Sequence, residues 1–234
     1  MKIIFFTALF LFSLFSFSQN SVYTITWISG AYQKNFKIKE NDKAINIRFD
    51  GSYRSIDWFA YNRQFLLREI TTWNISSHWQ LGAGPCWSWQ YPYYDVKPVL
   101  EFRPTFQFTG KTIISNNKYE NGKFENNKSE ISLRFRWELR YYRNNGDWSE
   151  VFHRPRLNLR CNIPITEKLS FVPSTEVMFQ KNPGDKFKFS VFRMVPAFNF
   201  KQGRINYSLS YMFQFLERGN SDEIDNIYIL NLSN

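Results

Sequence analysis

The chain has 234 residues and is strongly basic, with 30 lysines and arginines against 20 aspartates and glutamates and a formal net charge of +10. Aromatic residues make up 20% of it, a composition that favours strands over helices. The mean hydropathy is -0.44, and no apolar run of membrane-spanning length follows the first seventeen residues, which excludes a bundle of transmembrane helices. A chain of this length is expected to form one domain.

The N-terminus has the pattern of a secretory signal peptide. Lys2 precedes an apolar stretch at 3–17, and the small residue Ser18 follows that stretch. We predict cleavage after Ser18. Residues 1–18 are then the signal peptide, and residues 19–234 form a single exported domain.

The two cysteines, Cys86 and Cys161, bear on anchoring and on disulfide formation. Neither directly follows the predicted cleavage site, as the acylated cysteine of a bacterial lipoprotein would, so no lipid anchor is expected. The alternation of polar and apolar residues places the two cysteines on opposite faces of their strands. We therefore expect two free thiols.

Long stretches of the chain alternate between apolar and polar residues. Within 129–142, the odd positions from Ile131 to Tyr141 are apolar, and the even positions from Glu130 to Arg140 are polar or charged. Successive side chains of a strand point to opposite faces, so this period of two predicts a strand between two different environments. The same pattern predicts eleven strands, near 22–34, 43–54, 59–72, 78–91, 95–109, 129–142, 153–165, 168–180, 186–200, 203–216 and 225–233.

The length and spacing of these strands indicate a membrane barrel. Most exceed the roughly nine to eleven residues that cross a bilayer, and several connections are hairpin-short. Because bacterial single-chain barrels have an even number of strands, we expect one more strand within 110–128. The predicted fold is all-β, a closed antiparallel up-and-down transmembrane β-barrel of twelve strands, with ten as the next count. The prolines at 98, 104 and 164 predict local bulges or partial disruption of the strands, since proline donates no ladder hydrogen bond.

The two faces of the strands differ in chemistry. Aromatic residues gather at strand ends, as at Trp87, Trp89 and Tyr91, which is typical of the girdles at a membrane interface. The opposite face carries charges, which a closed barrel would enclose in its lumen. In a soluble sandwich these charges would face water, and the apolar face would be richer in valine, isoleucine and leucine. The predicted ladder of lumen charges comprises Glu101, Arg103, Arg134, Arg136, Glu138, Arg140, Arg154, Arg156, Arg160 and Glu176.

Four segments together resemble a known family. They are R-F-R-W-E-L-R-Y at 134–141, R-P-R-L-N-L-R-C-N-I-P-I at 154–165, S-T-E-V-M-F-Q at 174–180 and S-L-S-Y-M-F-Q at 208–214. Their order resembles the bacterial barrel family catalogued as domain of unknown function 2490, in which a basic strand with an embedded glutamate precedes a basic strand ending in an I-P-L type turn. Glu138 and the turn at 163–165 occupy the matching places. The resemblance, over 22–234, implies an outer-membrane barrel of a Gram-negative bacterium and brings no established activity.

The charge ladder leaves two interpretations open. Its arginines and glutamates could neutralise one another and fill a narrow interior, which is a structural role. Alternatively, unpaired arginines could leave a positive lumen that admits or binds small anions. We predict an outer-membrane barrel that acts structurally or as a narrow pathway or binding site for small solutes. The expected partners are outer-membrane lipid, the barrel-assembly machinery and small anionic solutes.

Other functions have weaker support in the sequence. A lipid-modifying outer-membrane enzyme using His78 or His153 is the alternative, but neither histidine lies in a recognisable motif with a serine. We assign no catalytic residue and favour a non-enzymatic role. The histidines and cysteines do not have ligand spacing, so no metal and no cofactor is expected. Nucleic acid is not an expected partner, because the aromatic residues and the arginines lie on opposite faces.

Overall fold

A computed structural model describes residues 21–37, 44–56, 61–91, 97–120, 123–144, 146–218 and 221–233. Its regular structure is β throughout these ranges. The strands are β1 (Ser21–Lys37), β2 (Ala44–Ile56), β3 (Tyr61–Asn74), β4 (Trp79–Gly84), β5 (Cys86–Gln90), β6 (Val99–Phe102), β7 (Thr105–Glu120), β8 (Lys123–Asn144), β9 (Asp147–Trp148), β10 (Phe152–Pro164), β11 (Leu169–Phe171), β12 (Ser174–Gln180), β13 (Lys188–Val195), β14 (Ala197–Gln202), β15 (Ile205–Arg218) and β16 (Ser221–Ser233). Over the same ranges, no helix is both long enough and apolar enough to span a membrane.

These strands form one sheet that closes on itself. Four crossings of the barrel are each divided into two strands, namely β4 with β5, β6 with β7, β11 with β12, and β13 with β14. The two-residue strand β9 pairs only with the end of β8. Counted as crossings of the barrel wall, the strands in the described ranges therefore number eleven.

The ring closes between its first and last strands, and this pair is parallel. Strand β1 pairs with β16 from Thr24 opposite Asn226 to Ala31 opposite Ser233. The predictions of twelve strands and of strictly antiparallel pairing are therefore wrong. The two errors have one cause, because successive crossings alternate in direction and an odd number brings two strands of the same direction together at the seam.

The described residues of the segment 110–128 form no strand of their own. They lengthen β7 and β8, which pair without a break as far as Glu120 opposite Lys123. The sequence between these two residues is Asn-Gly, the dipeptide most favoured in two-residue hairpin turns. The residues in which an extra strand was expected are therefore the end of β7 and the beginning of β8.

Proline accounts for the four breaks in the barrel wall. Pro85, Pro104, Pro173 and Pro196 each lie between the two strands of a divided crossing. The neighbouring backbone still bonds across the breaks; Val172, for example, donates to the Ala197 carbonyl oxygen at 2.7 Å. The disruption predicted at residue 104 is thus confirmed. Pro98 and Pro164 do not lie at such a break, because Pro98 precedes β6 and Pro164 is the last residue of β10.

The register places two chemically different sets of side chains on the two faces of the wall. Leu133 and Phe135 of β8 point outward and are 48% and 40% exposed, whereas Arg136 and Glu138 point inward and are 6% and 2% exposed. Large apolar side chains are exposed around the whole circumference. Examples are Phe49, Leu67, Trp73, Trp79, Leu81, Phe106, Leu157, Phe179, Phe200, Leu209 and Leu230.

The barrel has two ends that differ in their connections. One end, which we call the short-turn mouth, carries the connections 75–78, 165–168 and 203–204. The other end, the opposite mouth, carries the start of β1 and the longer connection 181–187. The position of a lumen side chain along the barrel can therefore be given by the mouth to which it is nearer.

Gly84 is required by a close approach between two strands. A Cβ atom at this position would lie 2.0 Å from the Glu69 carbonyl oxygen, and backbone cannot move aside cheaply. We expect Gly84→Ala to lower the free energy of unfolding by about 1–3 kcal/mol, as overpacking does. Gly82→Ala is the control, because its Cβ would meet the movable side chain of Gln107 at 2.8 Å. Equal urea midpoints for the two variants would contradict the requirement.

Candidate functional site

A network of buried ion pairs begins at Glu101, which has no exposed surface. Arg103 donates to its carboxylate through Nε at 3.0 Å and Nη2 at 2.7 Å. Arg140 donates to the same carboxylate from β8, and Gln90 donates from β5. Buried charges are tolerated when they are paired and hydrogen-bonded, and Glu101 meets both conditions.

Glu138 is the centre of the network. Its Oε2 accepts from Arg154 Nε at 2.7 Å and Nη2 at 2.5 Å, and its Oε1 accepts from Arg156 Nη1 at 2.7 Å. Arg136 and Arg103 approach to 3.8 and 3.9 Å. Four guanidinium groups thus surround one carboxylate that is 2% exposed.

The network continues to the far wall of the barrel. Arg156 bridges to Glu176 with bonds of 3.1 and 2.5 Å, and Arg193 reaches the same carboxylate at 3.2 Å. Arg193 also donates to Gln214 at 2.5 Å, and Gln214 donates to Asp225 at 2.9 Å. Hydrogen bonds and ion pairs therefore connect β6 to β16 across the lumen.

We call this set the central network. Its members are Gln90, Glu101, Arg103, Arg136, Glu138, Arg140, Arg154, Arg156, Glu176, Arg193, Gln214 and Asp225. It holds six arginines against four carboxylates, so its net charge is positive although most of its charged groups form ion pairs. Coulombic attraction and repulsion both strengthen where water is excluded, which makes this excess of charge important inside the barrel.

Two cavities lie in the lumen, one toward each mouth, and residues of the central network line both. The short-turn cavity has a volume of about 310 Å³. Its charged lining consists of Arg48, Arg68, Lys111, Arg134, Arg136, Arg160, Asp50 and Glu130. The opposite cavity has a volume of about 340 Å³. Its charged lining consists of Arg54, Arg63, Arg103, Arg140, Arg154, Arg156, Arg193 and Asp225.

The ten residues of the predicted ladder separate into two groups. Eight belong to the central network. The other two, Arg134 and Arg160, line the short-turn cavity. Neither of these two arginines has a carboxylate within ion-pair distance among the residues that the structure describes.

The ladder omits several residues that the site contains. Arg193, Gln214 and Asp225 complete the central network at its far wall. Alternation alone would place Arg193 and Gln214 on the polar face of their strands. It does not reveal that they meet Glu176 and Asp225, because those contacts depend on how strands far apart in sequence are set around the lumen.

The two histidines lie at opposite mouths. His153 faces outward at the start of β10, where its Nδ1 lies 3.3 Å from Trp137 Nε1. His78 lies in the exposed turn 75–78, with Nδ1 2.8 Å from Ser77 Oγ. Within the described ranges, neither imidazole is joined to both a serine and a carboxylate, the arrangement that a hydrolytic triad requires.

In the described ranges, the cysteines form no disulfide and the acidic residues form no metal site. Cys86 is buried on the lumen side and Cys161 is on the outer face, and both are free thiols. Among the described residues, no three histidine, cysteine or acidic side chains gather closely enough to hold a metal ion.

Comparisons with known proteins gave the following results. No curated protein matches the chain. A solved structure of the NanC porin is similar, with a TM-score of 0.45 and 9% identity over 86% of this chain and 94% of that one. OmpT, an outer membrane protein of Vibrio cholerae, is similar with a TM-score of 0.28 and 7% identity over 86% of this chain and 91% of that one. A family model matches residues 26–225, and the chain therefore belongs to the family described as protein of unknown function (DUF2490).

Proposed function

We propose that the chain is an outer-membrane β-barrel of a Gram-negative bacterium, whose narrow lumen binds and passes small anionic solutes. The outer surface supports the membrane location. Leu209 and Phe106 are 64% and 55% exposed, and exposed apolar side chains of this size continue around the wall. Monomeric soluble proteins rarely expose so large a continuous apolar surface, whereas hydrocarbon chains would cover it.

The route to that membrane is part of the same proposal. Residues 1–18 act as a signal peptide for export, and 19–234 is the barrel domain. Outer-membrane lipid then contacts the apolar wall, and the barrel-assembly machinery inserts it. The sheet suits insertion because, within the described ranges, every crossing of the wall pairs with a neighbour on each side, as hydrocarbon requires of any spanning structure.

The excess of guanidinium groups in the lumen is the observation that carries the proposed anion function. Rings of arginine favour anionic solutes in membrane pores. The charged lining residues of both cavities are predominantly cationic, and the central network between them retains two more arginines than carboxylates. We expect the central network, which lies between the two cavities, to form the constriction of the pathway and to exclude solutes much larger than the cavities.

Planar-bilayer recordings test the proposed pathway. We expect the native protein to give small, anion-selective conductance steps. Arg136→Ser combined with Arg156→Ser removes two charges from the constriction, so the steps should persist or increase while the anion preference is lost. Arg204→Ser is the control, since Arg204 is exposed in the turn 203–204.

Two results would contradict the pathway. One is a selectivity that the double substitution leaves unchanged. The other is a native protein without conductance whose double variant conducts, which would make the network a structural plug.

A further inference from the structure

The two halves of the lumen differ in how completely their cations are paired. In the opposite cavity, Arg103, Arg140, Arg154 and Arg156 all bond to glutamates of the central network. Arg54 of the same cavity has no ion pair in the described part of the chain, and its guanidinium group lies 3.7 Å from the centre of the Trp27 ring. In the short-turn cavity the pairing is incomplete. The difference indicates that the two cavities have different roles.

Asp50 does not neutralise the other cations of the short-turn cavity, because its carboxylate is already bonded to two arginines. Arg48 bonds to one of its oxygens at 2.5 Å, and Arg68 bonds to the other at 2.8 and 2.5 Å. The carboxylate is 8% exposed and both oxygens are engaged. Glu130 is then the remaining carboxylate in the lining, against Lys111 and three more arginines.

Those three arginines lie close together on adjacent strands. Arg134 and Arg136 are two residues apart on β8 and therefore lie on the same face. Arg160 of β10 is opposite Ser132, one inward position from Arg134, so these two are diagonal neighbours. Like charges at such spacing repel one another, and an anion between them would remove the repulsion.

Arg136 supplies a second, independent observation. Its side chain is only 7% exposed, yet its Nε has no hydrogen-bond partner within the described part of the chain. Its Nη2 donates to Gln107 at 3.3 Å and its Nη1 is 3.8 Å from Glu138. A buried donor without a partner is costly, so this group has the capacity to bind a ligand from the cavity.

The size and access of the cavity limit what it can take. A volume of about 310 Å³ is at the lower end of the range of roughly 300–1,000 Å³ seen for small-molecule sites. Arg160 is exposed and lies near the end of β10, so the cavity is reached from the short-turn mouth. The apolar wall separates it from the lipid phase.

We propose that the short-turn cavity is a binding site for one small oxyanion, a carboxylate or a phosphate, held by Arg134, Arg160 and the Nε of Arg136. The planar fork of a guanidinium group matches the paired oxygens of these anions and matches a spherical halide poorly. The ligand is a free solute, because lipid headgroups have no route through the wall. This inference rests on the proposed anion function and assigns it to one half of the lumen.

Isothermal titration of the full exported chain, folded in detergent micelles at low ionic strength, tests the site. The probes are inorganic phosphate and succinate, with chloride as the comparison. We expect both oxyanions to bind the native protein and chloride to bind more weakly. Arg134→Gln combined with Arg160→Gln should weaken oxyanion binding by about a hundredfold, since each of the two lost charge-assisted bonds is worth about a factor of ten.

Matched variants separate a binding site from a general charge effect. Lys97→Gln combined with Arg204→Gln makes the same charge change at two exposed positions, and oxyanion binding should be unchanged. Arg134→Lys keeps the charge but not the fork, and binding should be intermediate. Heat-modifiable migration in gels, which reports a closed barrel, establishes that each variant is folded.

Three results would overturn the site: no oxyanion binding to the native protein, equal binding to native protein and the Arg134/Arg160 variant, or chloride bound as tightly as phosphate. The outcome is independent of the bilayer recordings, because titration in micelles requires neither insertion nor conduction. If the protein conducts anions but gives any of these three titration results, the proposed function stands. Only the assignment of the binding site to the short-turn cavity is then wrong.

Discussion

Glu138→Gln lowers the free energy of unfolding of the barrel by about 3–5 kcal/mol, the cost expected when one partner of a buried ion pair is removed. Glutamine keeps the shape of the side chain, but it loses the charge and replaces one of the two acceptor oxygens by an NH2 donor. Arg154 and Arg156 then remain in the interior without the carboxylate that binds them at 2.5–2.7 Å. Arg136 and Arg103 also lose a neighbouring negative charge.

Urea unfolding of the folded protein in detergent micelles, followed by tryptophan fluorescence, measures this loss. Glu167→Gln is the control, because the same substitution in the exposed turn 165–168 should change stability by less than about 0.5 kcal/mol. Similar midpoints for the two variants would mean that the central network does not hold the barrel together. A lower midpoint for Glu138→Gln alone supports it.

Leu157→Arg has the second largest expected effect on the free energy of unfolding, and the size of that effect depends on the surroundings of the wall. Leu157 lies in the middle of β10, points outward and is 45% exposed. In a lipid bilayer, arginine at the midplane of a barrel wall costs about 2–4 kcal/mol. In water, the same substitution at an exposed position stays within about 0.5 kcal/mol of the native stability.

Folding into phospholipid vesicles, with urea as the denaturant, measures the effect of this substitution. Gln202→Arg makes the same change of charge at an exposed position next to the short-turn mouth, and it should fold like the native protein. Native stability for Leu157→Arg in vesicles would contradict the membrane location. Together with the Glu138 result, it separates the contribution of the lumen from that of the wall.

The period of two was sufficient to predict most of the wall from the sequence. It located all eleven crossings, because one side chain in two must be apolar wherever a strand separates lipid or core from a polar space. It also assigned faces, so that Glu101 and Glu138 were predicted to face the lumen together with their arginines. The alternation along one strand is enough to predict the face on which each side chain lies, without any contact between distant strands.

The strand count and the closure were predicted less well. The Asn-Gly dipeptide at 121–122 was a local signal for one long hairpin, and weighing it would have removed the supposed twelfth strand. The parallel seam between β1 and β16 has no such signal. It is a property of the closed ring, since it follows from the number of crossings and not from the residues of either strand.

By itself, the sequence determined which residues face outward and which face the lumen, because that choice is set by alternation along each strand. Only the tertiary structure decided which charges meet: Glu138 binds arginines of β10, while Arg134 and Arg160, alike in sequence pattern, find no carboxylate in the described chain. The reason is physical. The partner of a lumen side chain depends on strand register and on the distance across a closed ring, and both are set by pairing between strands remote in sequence.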